Sequence, residues 1–269
     1  MGSTFFSISD GNRRLALLAL TGGLAACMGE TGEVDPASVP DDDRKIEVGS
    51  DDLVTAQRTP SGGLTVYGAT VQKCSTTHVK GLVDQLVAEM NCANPGTMAR
   101  IDGLSGVTLG AAASPYLQGA AVRALASAAK SAPLTLNSTL RTLPQQYMVY
   151  RWSLSDTCGV RVAAEPGDSN HESGLALDVA NWSARKTALT KAGFKWFGSG
   201  DAVHFTYVGA GAKQLSGEGT LAFKRLWNRN HPKDKLALND TYNTATETRL
   251  KASPASGFAI GASCSASVR

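Results

Sequence analysis

The sequence predicts an α+β domain in which helices surround a small, mostly antiparallel sheet. Apolar residues recur at helical spacing before residue 130, and short apolar or alternating runs cluster between 134 and 207. Glycine, proline and asparagine mark the boundaries between them.

Val79, Leu82, Val83, Leu86, Val87 and Met90 fall on one face of a helix over 76–91, which the Asn-Cys-Ala-Asn-Pro-Gly run at 91–96 ends. Ser114 and Pro115 read as cap and first turn of an alanine-rich helix reaching about Ala129. A short strand over 134–137 follows. Pro144 suits a first turn, with Tyr147, Met148, Tyr150 and Leu154 at helical spacing behind it. The stretch 160–168 leads into Gly-Leu-Ala-Leu-Asp-Val-Ala at 174–180, a buried strand with small residues where another backbone comes close. Ser183 opens a helix that Gly193 closes. The last strands are 194–197 and the alternating Val203, Phe205 and Tyr207.

Within this frame Asp178 is an oddity, a carboxylate in an apolar run. An unpaired buried carboxylate is costly, and coordination to a metal removes that cost. His171 lies seven residues before it, and Asp201-Ala202-Val203-His204 follows. A catalytic zinc takes three protein ligands from His and Asp/Glu and leaves one position for water. His171, Asp178 and His204 can fill those three places, with Asp201 free to act as a base within reach of the attacking water. The same residues could also meet without a metal, Asp178 pairing with an arginine or capping a turn.

The chain has 269 residues, 42% of them hydrophobic, enough for one substantial core or two small ones. Lys and Arg number 26 against 23 Asp and Glu, and no basic run is interleaved with aromatics, so nothing argues for a nucleic-acid partner. At the start, Arg13 and Arg14 precede an apolar run at 15–20 and then Leu24-Ala25-Ala26-Cys27. That run is too short to span a bilayer, and it reads as a cleaved export signal with Cys27 as a lipidation site. Residues 28–60, with Asp41, Asp42, Asp43, Glu47, Asp51 and Asp52 and few large apolar residues, read as a disordered acidic tether. Four further cysteines, Cys74, Cys92, Cys158 and Cys264, suit two disulfides in an exported chain. Three connectivities are open, and the expectation taken here is Cys74 with Cys92 and Cys158 with Cys264.

The pattern Ser169-x-His171-x-x-Gly174-x-Ala176-x-Asp178, with Asp201-x-x-His204 downstream and Ser138-x-x-Arg141-Thr142 upstream, resembles the zinc D-alanyl-D-alanine carboxypeptidase family. That family also includes D,D-dipeptidases, phage cell-wall endopeptidases and the hedgehog signalling domain. The resemblance spans about 134–207. It implies zinc held by His171, Asp178 and His204, Asp201 as catalytic acid/base, and Arg141 as the cation facing a substrate carbonyl or terminal carboxylate. Ser169 would be a further substrate contact. The chain carries Asp where many relatives have Glu at the base position. It has no histidine just before Asp201, with Ser199 nearby instead. By its residues alone, Arg141 reads first as a surface arginine flanking a helix, and Arg151 on that helix is the second candidate.

The segment 209–269 reads as a helical extension. Residues 221–228 and 238–250 are similar to a small three-helix peptidoglycan-binding repeat, with Asn and Thr where its turn glycines would stand. Asn243 is the position at which a left-handed turn could survive. Trp227 and Tyr242 read as core residues rather than sugar platforms. The expected organisation is a leader over 1–27, a tether over 28–60, a catalytic domain over 61–208 and the extension. The resemblance implies an exported, envelope-anchored zinc peptidase cutting peptidoglycan stem peptides, membrane-bound through its lipid anchor. The competing reading is a wall-binding lipoprotein without enzymatic activity, in which the zinc is structural.

Overall fold

The computed structural model describes residues 57–264. The expected leader with Cys27, and the tether as far as residue 56, lie outside the described residues. The last residues assigned to the tether are already structured: Arg58 bridges Leu64, next to a bridge between Thr65 and Pro254.

In chain order the elements are α1 (Val66–Gln72), a 3₁₀ turn (Thr76–Val79), α2 (Lys80–Ala93), β1 (Met98–Arg100), β2 (Val107–Leu109), β3 (Tyr116–Gln118), α3 (Gly119–Ala129), β4 (Leu134–Ser138), α4 (Leu143–Leu154), β5 (Ala176–Val179), α5 (Trp182–Lys191), β6 (Phe194–Trp196), a second 3₁₀ turn (Ser199–Asp201), β7 (His204–Tyr207), α6 (Glu218–Asn230) and α7 (Thr244–Ala252). β1 and β3 form an antiparallel pair. The main sheet runs β2-β4-β5-β7-β6, parallel between β2 and β4 and antiparallel elsewhere. The fold is α+β, as the sequence predicts. The parallel pair was not foreseen, and it is made by a crossover through α3.

Two apolar clusters hold the chain. Leu136, Leu177, Val179, Phe205 and Phe194 line one face of the main sheet and pack with Leu125 of α3 and Leu189 of α5. Val66, Leu82, Leu86, Tyr147, Met148, Phe223 and Trp227 join α1, α2, α4 and α6 in the other. α4 starts where Thr142 and Gln145 form a capping box with a proline in the first turn, so the chain turns sharply just after Arg141.

Several expectations need correction. The helix placed from Ser114 begins only at Gly119. Tyr116–Gln118 instead pairs with Met98–Arg100, and the buried Gln118 amide donates to the carbonyls of Ser173 and Lys213. The disulfides join Cys74 to Cys158 and Cys92 to Cys264, with Cα separations of 5.1 and 4.7 Å. Cys74 and Cys92 stand at opposite ends of the 3₁₀ turn and α2, and the 14 residues of α2 alone span about 21 Å, far beyond the reach of one bridge. Asn243 is extended (φ −155°) and caps α7 by accepting from the Thr246 N–H, so no left-handed turn forms there. The C-terminal segment contributes Phe223, Trp227 and Phe258 to the helical cluster, so Trp227 is a core residue, with Tyr242 packed against the same cluster. The Lys224 ammonium, buried in α6, donates to Asn239 Oδ1 and the Thr241 carbonyl and ties down the loop before α7.

Candidate metal centre

Strand alternation sorts β5 and β7 into two faces. Leu177 and Val179, with Phe205 and Tyr207, enter the apolar cluster. Asp178 and His204 therefore point to the opposite face, where they are direct register partners. β4 would carry Ser138 on the same side as Leu136, but a bulge lies between them. Leu136 pairs with Val179 and Ser138 with Asp178, two steps on one strand against one on its neighbour. The extra residue, Asn137, transfers Ser138 to the face that carries Asp178.

His171 arrives from the turn before β5. Its carbonyl accepts from the N–H groups of Arg141 and Gly174, and its own N–H donates to Ser169 Oγ. Gly174 takes φ +70°, and an added Cβ would come within 2.8 Å of Met98 Sδ, so the turn needs glycine there. Ser169 is buried and its hydroxyl serves this turn.

Three donor atoms converge. His171 Nε2 lies 3.2 Å from His204 Nδ1 and 3.3 Å from Asp178 Oδ1, and His204 Nδ1 lies 3.1 Å from the same oxygen. The outer ring nitrogens are both engaged: His171 Nδ1 with the Thr139 carbonyl at 2.7 Å and His204 Nε2 with Thr206 Oγ1 at 3.1 Å. A carbonyl can only accept, so His171 Nδ1 carries a proton. Burial, followed by the charge of Arg141, pushes the His171 pKa down, which favours the neutral ring. Its Nε2 is then a lone pair aimed at a second imidazole nitrogen and a carboxylate. Burial alone would raise the Asp178 carboxyl, but His171, His204 and Arg141 outweigh it and hold Asp178 far below the ordinary carboxylate range.

A tetrahedral ion with bonds of about 2.0–2.1 Å places its ligands about 3.3 Å apart. The observed spacings meet that requirement, and the two threonine contacts are the kind of outer partner that fixes a ligating imidazole. His171, Asp178 and His204 could therefore hold a metal ion, and they are the one such group among the described residues.

Arg141 stands at the β4 side of this set. Its side chain is 16% exposed and Nη2 is 3.7 Å from Asp178 Oδ2. Nη1 donates to Gln146 Oε1, while the Gln146 amide donates to the Ala164 carbonyl. Burial lowers its pKa, opposed by the negative charges of Asp178, Glu172 and Asp201. Arg151, the second candidate, is exposed on α4 and lines a different cavity with Tyr67 and Lys73. Asp201 is exposed in the second 3₁₀ turn and outside the three-donor set. Ser199 lies in the same turn.

Sequence reasoning passed over Glu172. Its side chain is buried, Oε2 accepts from the N–H groups of Gly167 and Ser169, and Oε1 has no partner among the described residues. Burial pushes its pKa up to about 8, against those two hydrogen bonds and the nearby Arg141. A carboxyl whose folded pKa exceeds its unfolded value of 4.5 contributes stability fully present below 4.5 and lost as pH rises to about 8. In chelator-treated protein, Glu172→Gln should therefore remove a slope of about 1.4 kcal/mol per pH unit from the stability curve between roughly pH 5 and 7.5. Denaturant titrations of both proteins across that range check it, and parallel curves would mean that Glu172 does not titrate there.

Comparison with protein-family models, curated proteins and solved structures finds no match to this chain.

Proposed function

We propose that this chain is a zinc-dependent peptidase that hydrolyses peptide bonds in peptidoglycan stem peptides, as a D-Ala-D-Ala carboxypeptidase or a related endopeptidase. The reading includes export and anchorage in the cell envelope through a lipid on Cys27. The observation that carries it is the three-donor set itself, in which two imidazole nitrogens and one carboxylate oxygen converge without a fourth protein ligand among the described residues. Structural zinc sites normally close with four protein ligands, whereas catalytic sites keep one position open. The resemblance of the surrounding motif supplies the substrate class.

Zinc, when bound, supplies Lewis acidity to a carbonyl and lowers the pKa of the attacking water. The chain's own residues do the rest. Thr139 and Thr206 fix the faces that the imidazoles present. Arg141, braced by Gln146, offers a planar fork of donors to a substrate carboxylate or carbonyl. Asp201, accessible on its turn, takes a proton from the attacking water and delivers it to the leaving amine.

Mass spectrometry of muropeptides digested by the zinc-loaded chain, with a chelator-treated control, tests the proposal. Loss of a terminal alanine identifies a carboxypeptidase, and splitting of cross-linked dimers identifies an endopeptidase. Intact muropeptides, together with chelator-insensitive binding to purified sacculi, would overturn it in favour of a wall-binding protein.

A further inference from the structure

The ladder that sets Asp178 beside His204 continues outward on both sides. Ser138 pairs with Asp178, and beyond His204 the β6–β7 ladder continues one residue past Trp196, where the Phe197 N–H donates to the His204 carbonyl at 3.0 Å. Ser138, Asp178, His204 and Phe197 thus form one row across four neighbouring strands, on the face turned away from the apolar cluster. Three inter-strand gaps of about 4.8 Å make the row about 14 Å long, the length of about four residues of extended peptide.

The ends of the row differ in chemistry. At the β4 end, Ser138 and Arg141 border a cavity of about 270 Å³ that Leu140, Trp152 and the Cys74–Cys158 disulfide also line. At the β6 end stands Phe197, with 66% of its surface exposed and its ring 5.6 Å from the His204 ring at 82°. A single exposed apolar side chain ordinarily needs no explanation. Phe197 differs because it is the one aromatic among the large exposed hydrophobics of the described residues and its ring stands against that of His204 in the candidate centre.

Resting on the peptidase reading, we infer that Phe197 is a substrate-binding residue that packs against an aliphatic side chain on the N-terminal side of the scissile bond. The C-terminal side, which carries the carboxylate of a peptide cut near its end, then lies toward Arg141 and its cavity. The orientation follows from charge: the cation bordering the row is at the β4 end, and the far end offers an apolar surface.

The test uses the zinc-loaded full chain and a peptide series with a fixed scissile pair, extended by one aliphatic residue on either the N-terminal or the C-terminal side. Binding of non-hydrolysable phosphinate analogues by calorimetry is read alongside kcat/KM. Phe197→Ala should shrink the wild-type preference for the N-terminally extended peptide roughly tenfold in both readouts, with zinc content unchanged. Phe197→Leu should restore most of it. An unchanged preference in Phe197→Ala would overturn the inference, as would a loss confined to the C-terminally extended peptide, which reverses the orientation. If zinc-loaded wild type neither cuts nor binds any member of the series, it is the peptidase reading that fails.

Discussion

His171→Ala is expected to reduce bound zinc from about one equivalent to below about 0.1 and to take peptide hydrolysis to background, because two remaining donors make too weak a chelate. His171 differs from the other two donors in being supplied by a turn rather than a strand. His204→Ala should give the same metal loss through a different element, which separates ligand removal from damage to the 169–174 turn. Metal analysis after dialysis, with circular dichroism to confirm folding, provides the check. Full zinc in either variant would overturn the ligand assignment. The same chemistry sets an acid limit. Zinc and protons compete for the imidazole lone pairs, and burial holds the His171 pKa below its ordinary value of 6.5. Metal should therefore stay bound as pH falls through the ordinary imidazole range and be released only on further acidification.

Two of the three donors, Asp178 and His204, were legible in the sequence because strand alternation is strict. A carboxylate at Asp178 between Leu177 and Val179 must face away from the core that they enter, and His204 beside Phe205 obeys the same rule. Thr206, two residues after His204, was readable by that logic but was passed over. Other parts carry no such signal. The bulge that places Ser138 in the row depends on how β4 registers against β5, which a single segment does not encode. The orienting acceptor for His171 is the backbone carbonyl of Thr139, which any residue would supply. The α3 boundary went wrong where local helical propensity at 116–118 met pairing with β1, and the tertiary partner won. The disulfide pattern failed for a similar reason. A rigid helix between Cys74 and Cys92 keeps them apart, while α4 and the C-terminal segment bring their partners to them.

Asp201→Ala should separate metal binding from chemistry, keeping zinc near one equivalent while lowering kcat by about 10²- to 10⁴-fold, the usual contribution of a positioned general base. The turn is pinned on both sides, by the Trp196 indole N–H donating to the Ala202 carbonyl and by the Val179 N–H donating to the Val203 carbonyl. Asp201 is thereby held next to β7 although its side chain is exposed and makes no hydrogen bond or ion pair among the described residues. Its negative charge is among those that oppose the lowering of the Arg141 pKa. Asp201→Asn should lose as much activity as the alanine variant, since an amide keeps the shape without the basic oxygen. Asp201→Glu should recover a measurable part, because the carboxylate returns on a longer arm. If Asp201→Ala retained full turnover, the proton would have to move through another group. Glu172 is then the nearest remaining carboxyl in sequence to the three donors, and its burial under two backbone N–H groups makes it a poor carrier for a proton that must reach a leaving amine.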